Sequence, residues 1–350
     1  MLYNTRYTAV LCIGFLLLSA SLFARQDTIF TQVPVAKFDT WYIAGYTDLL
    51  TTRLFLLYEN AALTINPLEN KNNGIVYRPN VNIRVGIAGF WKWFGLGLSL
   101  DNPFYKTDRN TYGSTSVLDL RVNAFGRFLA AELFLQNFKS LYISSPKTRK
   151  GSYYIIPDMH VFSLGLSGFW IANEKRYSIR AAFIQNEQQK KSAGSFLVMP
   201  SFLYYRITSD HGIIPDGIIS SYQIPATGLI TRGEFYSVSL SPGYVYTLVF
   251  LKNFSITGAI FPGLAAHFST FSNEMLKNSD FEFAFQVNGR FALGYNSDKW
   301  FLGGSYETGF NEIPKKFSNT LFSYSVGQYR LWGGLRFNVF KKKRKTSPAY

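Results

Sequence analysis

Residues 75–89, "IVYRPNVNIRVGIAG", alternate apolar and polar side chains along their whole length. Ile75, Tyr77, Val81, Ile83, Val85 and Ile87 fall on one side, and Arg78, Asn80, Asn82 and Arg84 on the other. A period of two is the signature of a β-strand with unlike faces. The pattern returns in "VLDLRVNAFG", where Asp119, Arg121 and Asn123 oppose Leu118, Leu120 and Val122. It returns in "FEFAFQVNGRF", where Glu282, Gln286, Asn288 and Arg290 oppose Phe281, Phe283, Phe285 and Val287, and again where Arg336 and Asn338 oppose Leu335, Phe337 and Val339. Several of these segments exceed the usual length of a globular strand.

Composition decides between a soluble sandwich and a membrane wall. The 350 residues include 33 Phe and 23 Tyr, aromatics make up 18% and charged residues only 16%. So many rings on two-faced strands imply a surface that meets something other than water. After residue 24 no run of 18 apolar residues occurs, which excludes spanning helices. A closed β-barrel is the remaining structure that satisfies its backbone inside a bilayer. The fold expected is therefore all-β, an antiparallel transmembrane β-barrel of about 12 strands.

The chain opens with Arg6 and an apolar run from Ala9 to Phe23, ending near Ala24. This outline fits a secretory signal over 1–24 and predicts a cell-envelope destination, the outer membrane of a Gram-negative bacterium. Cys12 lies within it, so the processed chain would hold no cysteine. Residues 25–46 read as a periplasmic lead-in, with Asp39–Tyr42 packing at the barrel mouth; 47–340 read as the barrel and 341–350, "KKKRKTSPAY", as a basic tail. Short turns are expected near Trp91–Trp93, Gly126–Arg127, Asn173–Lys175, Lys252–Asn253 and Asn296–Lys299. Longer loops are expected over 102–116, 143–157, 209–232, 269–280 and 312–320. Such alternation of short turns and long loops is a second mark of an outer-membrane barrel. Both termini on one side demand an even number of strands. A weak strand within 213–224 gives 14, whereas one interrupted element over 176–208 gives 12.

That ambiguity falls on "AAFIQNEQQKKSAGSFL", residues 181–197. Together with "DTWYI", "YRPN", "LDL", "YVYTLV" and "GYNSDKWFLGGSY", this stretch resembles a Bacteroidetes family of outer-membrane-type barrels, domain of unknown function 4421, from about Asp39 to Phe340. The resemblance implies fold and compartment and no activity. Read as a strand, "YSIRAAFIQ" points Arg180, Ala182, Ile184 and Asn186 into the lumen and Phe183 and Gln185 outward. Lys190, Lys191 and Ser192 then belong to a rim loop or a turn folding inward, where Gly194 permits close backbone approach.

The same alternation places Arg53, Arg78, Arg84, Arg121, Arg180, Arg290, Arg330 and Arg336 inside, against Asp119, Glu132 and Glu282. Guanidinium groups stay charged and form forked hydrogen bonds, which suits a confined polar space. Two outcomes stand open: a side-chain network that stiffens a narrow barrel, or a wet passage whose positive potential favours a small anionic solute. The formal net charge of +15 agrees with either. Chemistry has little support, and no cofactor, metal or nucleic-acid site is expected. Three histidines and, in the processed chain, no thiol leave no metal spacing. His267 and Ser269 should both point inward, and glycine pairs such as Gly303–Gly304 lie within strand patterns. The expected function is a channel or transport protein, not an enzyme, whose surroundings are outer-membrane lipids. The alternative is a structural or accessory barrel serving an outer-membrane or periplasmic protein partner. An outer-membrane hydrolase is the remote third.

Overall fold

In the computed structural model, twelve antiparallel strands hydrogen-bond in sequence around a closed barrel. The structure describes residues 38–67, 74–80, 83–102, 108–148, 151–215, 217–218, 230–273, 277–317 and 320–339. The expected signal over 1–24 and the basic tail over 341–350 lie outside the described residues, as do Val81 and Asn82. Strand β2 (Leu50–Pro67) closes the ring by pairing with the last strand, β15 (Thr320–Phe337), from Leu50↔Phe337 to Pro67↔Thr320. Between them run β3 (Ile75–Arg78) and β4 (Arg84–Trp91), which together make one interrupted stave, then β5 (Phe94–Asp101), β6 (Ser116–Phe125), β7 (Leu129–Ser145) and β8 (Tyr154–Ile171). The ring continues through β10 (Ala193–Thr208), β11 (Arg232–Phe250), β12 (Phe254–Ser272), β13 (Lys277–Asn296) and β14 (Trp300–Phe317). Two further strands, β1 (Ile43–Gly45) and β9 (Glu187–Gln189), pair only with each other.

The short turns at 92–93, 126–128, 251–253 and 297–299 lie at one end, where 172–192 is a long connection and not the short turn expected at Asn173–Lys175; the other longer connections lie at the opposite end. Two of the expected long loops are tight instead, because β12 and β13 extend to Ser272 and from Lys277, and β14 and β15 to Phe317 and from Thr320. The region 213–224 supplies no strand among its described residues, and 176–192 supplies no barrel strand, so the count is 12.

Outside, the middle of the wall is apolar: Leu240, Ile260, Leu264, Phe283, Phe285 and Leu331 are each more than half exposed. Aromatic side chains edge this band. Near the long-loop end, Tyr204 and Tyr236 meet at 4.8 Å; near the short turns, Phe250 stacks on Phe254 at 5.8 Å and Tyr295 on Trp300 at 4.5 Å. On β11 the outward Tyr236 and Tyr246 mark the two edges. Ten residues at ~3.3 Å span ~33 Å of strand, or ~25 Å along the axis at a tilt of ~40°, the height of a transmembrane barrel's apolar band.

Beyond the long-loop edge the polarity of the wall inverts while the register continues. Tyr77, Phe138, Ile207, Phe235 and Phe271 point inward and are buried, whereas Asn137, Lys139, His160, Arg206 and Thr208 take the outer face. Outside there is water at this level, so each strand exchanges which face is apolar. The inversion corrects the placement of Arg78. Its register partners set Tyr77 beside the inward Leu63, so Arg78 faces out and donates to Asn60 Oδ1 at 3.1 Å. The break at residues 79–83 lets β4 resume with Arg84 inward and Val85 and Ile87 outward, as alternation requires.

The same break changes the number of staves. β5 and β6 stop short, and above Ser140, which adopts φ 68°, β3 pairs directly with β7. The loop beyond β5 seals the seam. Its helix α1 (Arg109–Tyr112) is capped by Asp108, and Asn80 donates through its backbone N to Thr115 Oγ1 at 2.8 Å and through Nδ2 to the Gly113 carbonyl at 2.5 Å. Asn80 is thus a clamp in the wall, not a lumen residue.

Candidate functional site

The lumen holds most of the polar residues singled out in the sequence, though not Arg78, Asn80, Lys190, Lys191 or Ser192, and three layers divide it. At the short-turn end, residues 172–192 fold into the barrel instead of forming a wall strand. Tyr177 to Gln189 are all buried. They form helix α2 (Ile179–Phe183), N-capped by Ser178 Oγ, which accepts from Ala181 N at 3.1 Å, and then β9, which pairs with β1. The expected lead-in therefore contributes Ile43–Gly45 to the plug. "YSIRAAFIQ" reads as an alternating strand, but a short apolar run does not separate strand from buried helix. Enclosed on every side, it has no outward face: Phe183 and Gln185 are as buried as Ala182 and Ile184.

The polar run after α2 is spent on fastening. Glu187 accepts from Arg127 Nη1 at 2.6 Å, Ser178 Oγ at 2.5 Å and Arg180 Nη1 at 3.2 Å. Gln188 donates to Asn253 Oδ1 at 2.9 Å and to the Asn296 carbonyl at 2.7 Å, while Gln189 donates to the carbonyls of Arg176 and Lys191. Asn186 donates to the Lys92 carbonyl at 3.1 Å. These partners belong to several short turns, so the plug is stitched around the mouth. Two wall arginines finish the helix. Arg53 Nη1 donates to the Phe183 carbonyl at 2.8 Å, and Arg336 donates to the Gln185 carbonyl. Helix C-terminal carbonyls lack intrahelical donors and attract cations. Gln185 itself has φ 64°, a conformation glycine would favour, held here by those donors. Arg180 spans from Glu187 to the Phe125 carbonyl; burial pulls its guanidinium below the usual value and Glu187 pulls it back. Near the mouth, burial and the hydrogen bond to Asp298 push the Tyr46 phenol well above its usual range.

Lys190 and Lys191 do lie at a rim, but it is the short-turn rim. Lys190 Nζ donates to the Thr40 carbonyl at 2.8 Å, and Lys191 sits 5.3 Å over the Trp41 ring. Ser192 Oγ accepts from Val249 N at 2.9 Å. A Cβ on Gly194 would meet the Val245 carbonyl at 2.8 Å, the close approach expected of this glycine.

Above the plug lies a chamber of about 230 Å³ floored by Phe183 and Ile184. Its charges are paired, apart from Arg53, which is spent on the plug. Arg84 bonds Glu59 and lies 3.1 Å from Asp119, whose other oxygen is 3.3 Å from Arg121 Nε. Arg290 reaches across the barrel to Glu132 with two bonds, 2.9 and 2.6 Å, and sits beside Glu307 in register. Arg330 lies 3.8 Å from Glu307. Gln136 and Gln328 both donate to Glu59. Glu59, Glu187 and Glu307 were not singled out in the sequence, although the odd-numbered face of "RLFLLYEN", from Arg53 to Glu59, carries the signal for the first. With them, the seven expected arginines that remain inside, and Arg127 beside Glu187, confront six inward carboxylates, and the surplus that suggested a positive lumen shrinks to two.

The roof is apolar. Ile213, Ile214, Ile218 and Ile230, from the connection between β10 and β11, join the inward Ile65, Tyr77, Ile207 and Phe271 in one buried cluster. Tyr77 Oη donates to the Ile213 carbonyl at 3.0 Å. His267 and Ser269 face inward and are buried, and the register sets His267 opposite Glu282, also inward. Among the described residues no group of three or more His, Cys, Asp or Glu is placed to hold a metal.

A family model described as domain of unknown function DUF4421 matches residues 37–337. The chain belongs to that family. Among solved structures it is similar to the translocator domain of the autotransporter NalP from Neisseria meningitidis, with 11% identity, 96% of this chain and 100% of that one covered, and a TM-score of 0.34. The outer membrane protease OmpT of Escherichia coli gives 9% identity, 83% and 97% coverage and a TM-score of 0.33. The toluene transporter TodX of Pseudomonas putida gives 10%, 83%, 90% and 0.28. No curated protein matches the chain.

Proposed function

We propose that this DUF4421 protein is an outer-membrane barrel of a Gram-negative, Bacteroidetes-type cell, exported by the segment over 1–24, and that it works closed. Its role is structural or accessory, serving an outer-membrane or periplasmic protein partner, with no catalysis of its own. The observation that carries this reading is the double closure. A plug of hydrogen-bonded polar residues fills the short-turn end, and an apolar roof fills the other. The channel expectation rested on an excess of lumen arginines; carboxylates beside most of them answer that charge, and Arg53 and Arg336 are spent on carbonyls of the plug. A small anionic solute would meet an almost balanced chamber.

Conductance in planar bilayers tests the reading. Wild-type protein, folded and inserted, should be silent. A variant with residues 177–189 and 212–230 each replaced by a short Gly-Ser turn should give stepwise current, which proves insertion in the same assay. Stepwise current from the wild type overturns the closed reading and restores the channel.

A further inference from the structure

The outer wall carries a cationic recess just beyond the long-loop aromatic edge. Cross-strand register stacks three rows there. The lowest is Leu135, Leu164, Tyr204 and Tyr236; the next is Asn137, Phe162, Arg206 and Glu234; the highest is Lys139, His160, Thr208 and Arg232. Leu118, Leu135, Asn137, His160, Phe162, Arg206 and Thr208 line one concavity. The Arg206 guanidinium lies 5.7 Å over the Phe162 ring, its stem on the wall and its charge at the recess. Two carboxylates share this face, and both are engaged. Glu234 takes Arg232 Nη2 at 2.7 Å and Tyr204 Oη at 3.0 Å; Asp158 Oδ2 takes Ser209 Oγ at 3.0 Å, Asp210 N at 2.8 Å and His211 N at 3.2 Å. Among the described residues, Lys139, His160 and Arg206 have no carboxylate within ion-pair distance.

We propose that this recess binds the phosphate-bearing headgroup of a membrane lipid in the leaflet on the long-loop side, with Arg206 and Lys139 as the phosphate ligands and Asn137, His160 and Thr208 as further hydrogen-bonding groups. Height is the argument for a lipid. The tyrosines of the lowest row mark the edge of the acyl region, and the cations stand one and two side-chain rows above it, where headgroup phosphates lie. The apolar floor of Leu118, Leu135 and Phe162 fits the glycerol and upper acyl carbons of the same molecule. This inference rests on the membrane reading above.

The test uses the full-length protein in phosphatidylcholine vesicles containing trace spin-labelled phosphatidic acid or spin-labelled phosphatidylcholine, and measures the fraction of each label immobilised at the protein wall. Wild type should prefer phosphatidic acid by roughly fivefold, the scale of one engaged cation near a membrane surface. Lys139→Gln with Arg206→Gln should bring the ratio near one, and Lys252→Gln with Lys299→Gln, at the opposite mouth, should leave it unchanged. No preference in the wild type, or one untouched by the first pair, overturns the proposal. Loss of the preference on adding inorganic phosphate at constant ionic strength also overturns it, in favour of a free-anion site. If neither label is immobilised, the chain is not in the bilayer and the membrane reading is what fails.

Discussion

Removing one partner of the Glu132–Arg290 pair separates a stiffening network from a wet passage. The pair joins β7 to β13 across the lumen, with the Arg290 side chain 12% and the Glu132 side chain 23% exposed. Glu132→Gln keeps the shape and leaves a guanidinium inside the barrel with one hydrogen-bonded charge gone. Breaking a buried pair costs ~3–5 kcal/mol. The lower end applies, because Glu132 keeps some solvent and Glu307 remains in register beside Arg290. The expected loss is ~3 kcal/mol, read as a shift in the urea midpoint of protein folded into lipid vesicles and followed by tryptophan fluorescence. The double change Glu132→Leu with Arg290→Met removes both charges and should recover most of the loss, because an apolar pair of similar volume often matches a buried ion pair. The deficit should persist in 1 M salt, where the Debye length is ~3 Å and exposed pairs are screened. A single variant within ~0.5 kcal/mol of wild type, or a double variant worse than the single, would mean that water already solvates Arg290 and that the chamber is a passage.

Two other outcomes follow from the wall. Ile260, outward on β12 and 57% exposed, lies midway between Phe254 and Phe268, so Ile260→Arg should cost ~2–4 kcal/mol in the same unfolding series, against less than ~1 kcal/mol for Thr270→Arg beyond the band; equal costs would misplace the membrane. Cysteines introduced at Ser152 and Ser297 lie at opposite ends of the barrel, so an impermeant thiol reagent on intact cells should label the first and spare the second, and equal labelling would contradict the assigned sides.

Much of the wall was legible because lipid and lumen impose opposite demands on neighbouring residues. "FEFAFQVNGRF" gives its faces directly: Phe281, Phe283 and Phe285 are exposed, while Ala284 and Gln286 are buried. Alternation fails where its premise fails. At Tyr77 and Arg78 the strand has left the bilayer, water replaces lipid, and the same period carries the opposite meaning. In 177–189 there is no second environment, since every residue is enclosed, so a helix and a fragment of strand passed for one stave. The partners of the lumen arginines stayed hidden for a different reason. Arg290 and Glu132 are 158 residues apart, a proximity set by barrel closure and not by local spacing.

The inversion of polarity along the strands also fixes how deeply the barrel sits. Sliding it toward the short-turn side by two residues of strand, ~5 Å along the axis, would draw Lys139, Arg206 and Arg232 into the acyl region. Each cation costs up to ~1 kcal/mol near the interface and more with depth. Sliding it the other way would lift the Tyr204–Tyr236 pair out of the interface and bring the turn-side residues Lys252 and Lys299 inward. The molecule is thus held at one level by opposed penalties. A bilayer thicker or thinner than ~25 Å must stretch or thin around the wall, because the wall does not shift to suit it.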